Sequence, residues 1–279
     1  MTESQQVAAP PLPDTPPEPA PAEVRKDRRV LRAVLRWTAA AVVLAAAGTA
    51  TAYGISGMER TDVPGLSTRS DGRWDFPRLT KPPLPSGSPG PFAAGNAAEA
   101  HYADLRALLL PVPQGAKEDK ALRGSDGWLA MKDFLAEYEV KEERQELGQK
   151  LVDTGLRHIA ARGWTASDGT RTRIYLLQFG TANIVESKLA SDVQAYTSPT
   201  YQVRGAAEAV YDEAFPDPAA VSGITRTAFT EPKPYGAEQV RQGYLSAGDV
   251  FAVILQSRKG SASAVPFQQT VTLQAQLLG

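Results

Sequence analysis

The feature that most constrains this chain is a run of 21 residues, WTAAAVVLAAAGTATAYGISG from Trp37 to Gly57, without one charged side chain. As a helix rising about 1.5 Å per residue, such a run reaches roughly the 30 Å of a bilayer's hydrocarbon core. A helix apolar all round leaves no face for water in a small domain, so the sequence predicts a transmembrane helix over residues 37–57. Its weight of Ala, Gly and Thr makes it partition less strongly per residue than a Leu-rich span would. The lipid bilayer is the first expected partner.

The flanks set an orientation. Six basic residues lie between Arg25 and Arg36 against Asp27 alone, whereas Glu59, Arg60 and Asp62 follow the run. Positive charge is retained on the cytoplasmic side, which predicts a cytoplasmic N-terminus and residues 58–279 outside, in a single-pass cell-membrane topology. Ala50-Thr51-Ala52 also fits a small-x-small cleavage site, the alternative being secretion after cleavage near Ala52. The long N-terminal extension favours an uncleaved signal-anchor. Arg28-Arg29 does not sit in twin-arginine surroundings and reads as part of the basic cluster. Residues 1–24 carry four acids, no base and many prolines, so 1–36 reads as a disordered tail and a basic juxtamembrane segment.

Residue counts exclude whole chemistries. With no Cys there is no disulfide, thiol nucleophile, Cys-based metal site or lipidated cysteine, and two histidines, His101 and His158, cannot make a three-histidine metal site. After residue 36 there are 24 bases and 26 acids, which, with the outward orientation, argues against nucleic acid. Arg outnumbers Lys 20 to 10 and Asn occurs twice, an actinobacterial-like composition of the kind high-GC bacterial genomes give. The build resembles that of single-pass bacterial envelope proteins, without any family-specific motif.

Residues 58–95, with LTKPPLPSGSPGPFAAG, break both repeating structures and read as a Pro/Gly-rich linker, stiffened where PPLP adopts polyproline II. The folded domain is expected over 96–279. Ala98, Tyr102, Leu105 and Leu109 have helical spacing, and helices are predicted again through Met131–Tyr138 and over 142–155. LRHIAARGWTA and TRIYLLQF flank the turn signal SDGT, residues 167–170, as a hairpin. Further helices are expected over 182–193, 205–215 and 266–278, and strands over 223–230 and 249–257. The two halves share a helix, strand, strand, helix order, with EPKPYGAEQVRQG as an insertion in the second. The fold class is therefore α+β, a mixed or mostly antiparallel sheet flanked by helices, with two pseudo-repeated units as one arrangement of it.

Site signals are sparse. The chain has no GxSxG, phosphate loop, GxGxxG or HExxH, and no catalytic residue, metal ligand or cofactor is assigned. His101 reads as the boundary residue of a packed helix and His158 as a strand residue. Glu137, Glu139, Glu142, Glu143 and Glu146 interleave with Lys and Arg as a solvated helix face. Asp126, Asp168, Asp212 and Asp249 take cap or turn roles, Gly248-Asp249 being a turn. Four aromatics near turns or mixed-polarity segments, Trp128, Trp164, Tyr201 and Tyr244, are the candidate interaction surface. The expected function is a membrane-anchored extracytoplasmic binding or protein-interaction module, its partner an envelope protein, polymer or small ligand. The alternatives are an extracytoplasmic sensor working through a cytoplasmic partner, since a 36-residue tail has no room for an output domain, and an envelope hydrolase using paired carboxylates.

Overall fold

The computed structural model describes residues 28–56 and 70–279, apart from 194–196 and 218–219. The tail before residue 28 and the linker over 57–69 lie outside the described residues. Two units are separate, one ending at Arg69 and the other spanning Ser70–Gly279.

The first unit holds α1, Arg28–Ser56, whose stretch Arg29–Thr49 is long and apolar enough to cross a membrane. Among its described residues, Leu31, Trp37, Val43 and Leu44 are all exposed. Two of its hydroxyls bond within the helix, Thr38 Oγ1 donating to Val34 O at 2.8 Å and Thr49 Oγ1 to Ala45 O at 2.7 Å. A helix that satisfies its own polar groups and presents apolar side chains on all sides is suited to lipid.

The second unit is a seven-stranded antiparallel sheet in the order β1-β2-β3-β7-β6-β5-β4. β1 (Lys117–Glu118) edges the hairpin of β2 (His158–Thr165) and β3 (Arg171–Gln178), turned at 167–170 as its sequence predicts. β7 (Val250–Lys259) pairs with β3 at the centre, and the sheet continues outward through β6 (Glu238–Ala247), β5 (Ile224–Thr230) and β4 (Val210–Tyr211). Both faces are covered, which is why β3 and β7 read as near-continuous apolar runs rather than alternating ones.

On one face lie α2 (Met131–Leu135), α3 (Lys141–Asp153) and a segment made of α4 (Ala182–Ile184), a π-helical turn (Val185–Ala190) and α5 (Ser191–Val193). Phe134, Leu147, Leu151, Val185 and Leu189 meet Tyr175, Leu177, Phe251 and Val253 there. On the other face lies α6 (Ala264–Leu278), burying Phe267, Val271, Ala275 and Leu278 at the predicted spacing against Ile174, Leu245 and Ile254. Contact is close: a Cβ on Gly243 of β6 would stand 2.8 Å from Val271 Cγ2.

Several expectations are corrected. The stretch 98–109 is not a helix. Leu105, Leu108, Leu109 and Leu110 all point into the core around a single 3-10 turn, Leu105–Ala107, while Tyr102 is exposed. Nor is 205–215 a helix, its only regular element being β4. The expected insertion, 231–243, holds the first six residues of β6, a strand hidden from pattern reading because its buried positions include Gln239, Gln242 and Ser246. The halves do not repeat: the second lacks its first helix, and the segments following the two hairpins pack on opposite faces of the sheet.

The packed unit also begins before Asn96. Residues 70–92 form a strap over the α6 face, where Trp74 and Phe76 pack edge-on against Trp164 at ring separations of 6.1 Å. Gln269 of α6 fixes the strap like a strand partner, accepting from Trp74 N at 2.8 Å and donating to Trp74 O at 2.9 Å. One and a half turns on, Gln274 does the same to the leucine segment, donating to Leu108 O and accepting from Leu110 N, both at 2.9 Å. Two glutamines of α6, one buried and one half-buried, thus complete backbone ladders that no strand supplies.

Candidate functional site

Of the four aromatics expected at a surface, three are core. Trp164, Tyr201 and Tyr244 are 1%, 2% and 0% exposed. Trp164 is the floor under the strap, Tyr244 packs between Phe229 and Phe251, and Tyr201 stands edge-on to Tyr138 while donating to Glu146. Burial raises the phenol of Tyr244 well above its ordinary range, and that of Tyr201 is raised by burial too. Beside Tyr244 the polar neighbours Gln242 and Ser246 are themselves buried, whereas Tyr201 turns inward between exposed Thr200 and Gln202. Trp128 alone remains partly accessible, its ring stacked 4.5 Å from His158 with the Arg106 guanidinium 4.9 Å away. It borders a cleft of about 430 Å³ with Met131, Val152, Leu156 and Arg157. The four aromatics therefore do not come together.

What the structure does bring together is a histidine and an acid 148 residues apart. The loop before His101 is shaped by Asn96, whose side chain donates to Gly90 O and Ala100 O and accepts from Ala100 N. Across from it, β6 and β7 join through Gly248, whose φ of +51° suits glycine and whose missing side chain lets Glu99 O close onto the turn. Asp249 N donates to that same Glu99 carbonyl at 3.1 Å. Gly248-Asp249 is the turn that its sequence predicts, and Asp249 has a second role within it.

Asp249 Oδ1 lies 2.7 Å from His101 Nδ1 and accepts from the His101 backbone N–H at 2.9 Å, while Oδ2 accepts from Gln178 Nε2 at 3.1 Å. His101 Nε2 lies 2.9 Å from Leu278 O in the last turn of α6. A carbonyl only accepts, so Nε2 carries a proton. Whichever partner holds the proton between Nδ1 and Oδ1, neither ring nitrogen keeps a free lone pair. The pair is suited to holding three segments together and offers no general base. His101 is thus buried by tertiary contact, not by the helix expected for it, and no local signal marks its partner.

Above this clamp is a cavity of about 310 Å³ between the strap, the 101–108 loop and the end of α6. Pro82, Leu84 and Pro91 form its strap wall, with Tyr102, Leu108 and Leu277 opposite. Leu84 and Tyr102 are 40% and 46% exposed, so the mouth is apolar as well as the interior. Lys81 stands at the edge and makes no ion pair among the described residues. A larger cleft of about 700 Å³ runs between α3 and the π-helical turn, lined by polar and charged side chains of which Lys150 pairs with Asp192, Glu146 accepts from Tyr201 and Asp153 accepts from Gln149. Among the described residues, no group of three or more His, Asp or Glu is placed to hold a metal ion.

No protein-family model and no curated protein matches the chain. Among solved structures, the extracellular domain of PknH from Mycobacterium tuberculosis aligns at a TM-score of 0.30 and 9% identity, over 46% of this chain and 68% of that one. At that score and identity, the likeness assigns neither a fold nor a role.

Proposed function

We propose that this chain is a membrane-anchored extracytoplasmic binding module, held by α1 and recognising its ligand through the cavity beneath the strap. The observation that carries this reading is the cavity's construction. Its walls are apolar side chains from three separate segments, with one unpaired cation at the edge, which is the make-up of small-ligand pockets. The buried His101–Asp249 pair favours binding over chemistry, because both ring nitrogens are already engaged.

A second reading, an extracytoplasmic sensor, is favoured by one observation. The strap that walls the cavity is also the segment nearest α1 in sequence, separated from it by residues 57–69. A ligand that changes how the strap seats acts on the chain leading to the membrane. The cytoplasmic segment would then signal through a partner.

Both readings place residues 70–279 outside. Protease added to intact cells or protoplasts is expected to digest the Ser70–Gly279 unit and spare an N-terminal tag. A C-terminal tag that stays protected until the membrane is broken overturns both. Uncleaved anchoring has its own check, since a mature N-terminus at Tyr53 would instead mean release after Ala52.

A further inference from the structure

Resting on the reading of the strap cavity as the ligand site, we infer that its occupant is an amphiphile with one hydrocarbon chain and an anionic headgroup. The tail lies against Pro82, Pro91, Leu108 and Leu277, and the headgroup meets Lys81. Three features select this class. The walls offer mainly aliphatic and proline surface: besides Lys81, the polar side chains of the lining are Tyr102, whose ring is exposed at the mouth, and His101 beneath, which is tied at both nitrogens. A sugar or peptide would leave its own polar groups unpaired there. A volume of about 310 Å³ stands at the lower limit of ligand pockets and accommodates a single chain rather than a two-chain lipid body. The unpaired ammonium of Lys81 at the edge supplies the charge complement for a carboxylate or phosphate.

The full chain in amphipol, titrated with straight-chain carboxylates lengthened one methylene at a time, tests this. Affinity is expected to rise about fourfold per methylene until the chain fills the cavity, and then to level off. Ala103 also lines the cavity, and Ala103→Trp, which fills it, is expected to abolish this binding. Lys81→Gln alters only an exposed side chain, and so reads the headgroup without challenging the fold. It is expected to weaken carboxylates several-fold and leave alkanols of equal length unchanged. An affinity that climbs without a plateau, or that survives Ala103→Trp, is partition into the amphipol and overturns the inference. If indole binds and Ala103→Trp blocks it while carboxylates do not bind, the cavity reading stands and the amphiphile falls. If neither binds, both fall. Titrating lysophospholipids beside the free carboxylates separates a membrane source from a soluble one: tighter binding of the former at equal chain length assigns the occupant to the membrane.

Discussion

At the scale of single residues, the fold depends on polar groups buried with their partners. His101 and Asp249 fix the loop before His101, the β6–β7 turn and the end of α6 with one shared contact. Removing either leaves the other buried and short of a partner, so His101→Ala and Asp249→Ala are each expected to cost about 3 kcal/mol. The double variant should cost little more than either single one, a non-additivity that thermal unfolding measures. Equal, additive losses would show that the two side chains are not coupled. A second prediction concerns tyrosine. Burial raises the phenols of Tyr138 and Tyr244, and burial beside the Glu137 carboxylate raises that of Tyr175. In the unfolded chain these groups ionise at about pH 10. Neutral burial therefore contributes stability in full below about pH 10, and that stability is lost as the pH rises further. Phenolate absorbance of the three should appear together with unfolding rather than in advance of it. None of this was legible in the sequence: the acids near His101 in the chain, Glu99 and Asp104, are not its partner, which lies 148 residues away, and Tyr244 reads as a surface aromatic because Gln242 and Ser246 beside it are polar yet buried.

At the scale of elements, legibility followed the reach of the stabilising contacts. The β2–β3 hairpin, α3 and α6 carry their own periodicity and turn signals, and each forms within a few residues of its predicted bounds. The leucines at 105, 108, 109 and 110 mimic a helix face, but their backbone is completed by Gln274, 164 residues from Leu110. The strap reads as a linker in sequence for the same reason. Its prolines do exclude helix and inner strand, yet Gln269 and Trp164 give it a seat that only the tertiary structure shows. Trp74→Ala should cost about 2 kcal/mol, a partial share of a buried Trp→Ala loss. A version of the packed unit starting at residue 96 should unfold at lower denaturant than one starting at residue 70. Equal midpoints would return the strap to the status of a linker. On the same face, Gly243→Ala sets a methyl against Val271 and is expected to cost about 1–3 kcal/mol by overpacking.

At the scale of the whole molecule, the span was the plainest message of the sequence, since 21 uncharged residues state it without help from distant partners. What the fold adds is a seat, on α6 and Trp164, for the strap that follows that helix in sequence. The central strands β3 and β7 are paired on both sides and covered on both faces, so their amides can exchange only when the unit unfolds. The strap has no strand partner, and the Trp74 amide is held by the Gln269 side chain alone. Its opening should require far less free energy than global unfolding. Hydrogen exchange on the full chain is therefore expected to place residues 73–92 in a faster class than 172–178 and 250–257. A bound occupant of the cavity should slow the strap and leave the central strands unchanged, because it adds contacts only to the closed form. Strap amides that exchange no faster than those of β3 and β7 would mean that the strap and sheet open as one body. Ligand seating could then not reach the membrane segment through the strap, and the sensor reading would lose its route while simple binding remained.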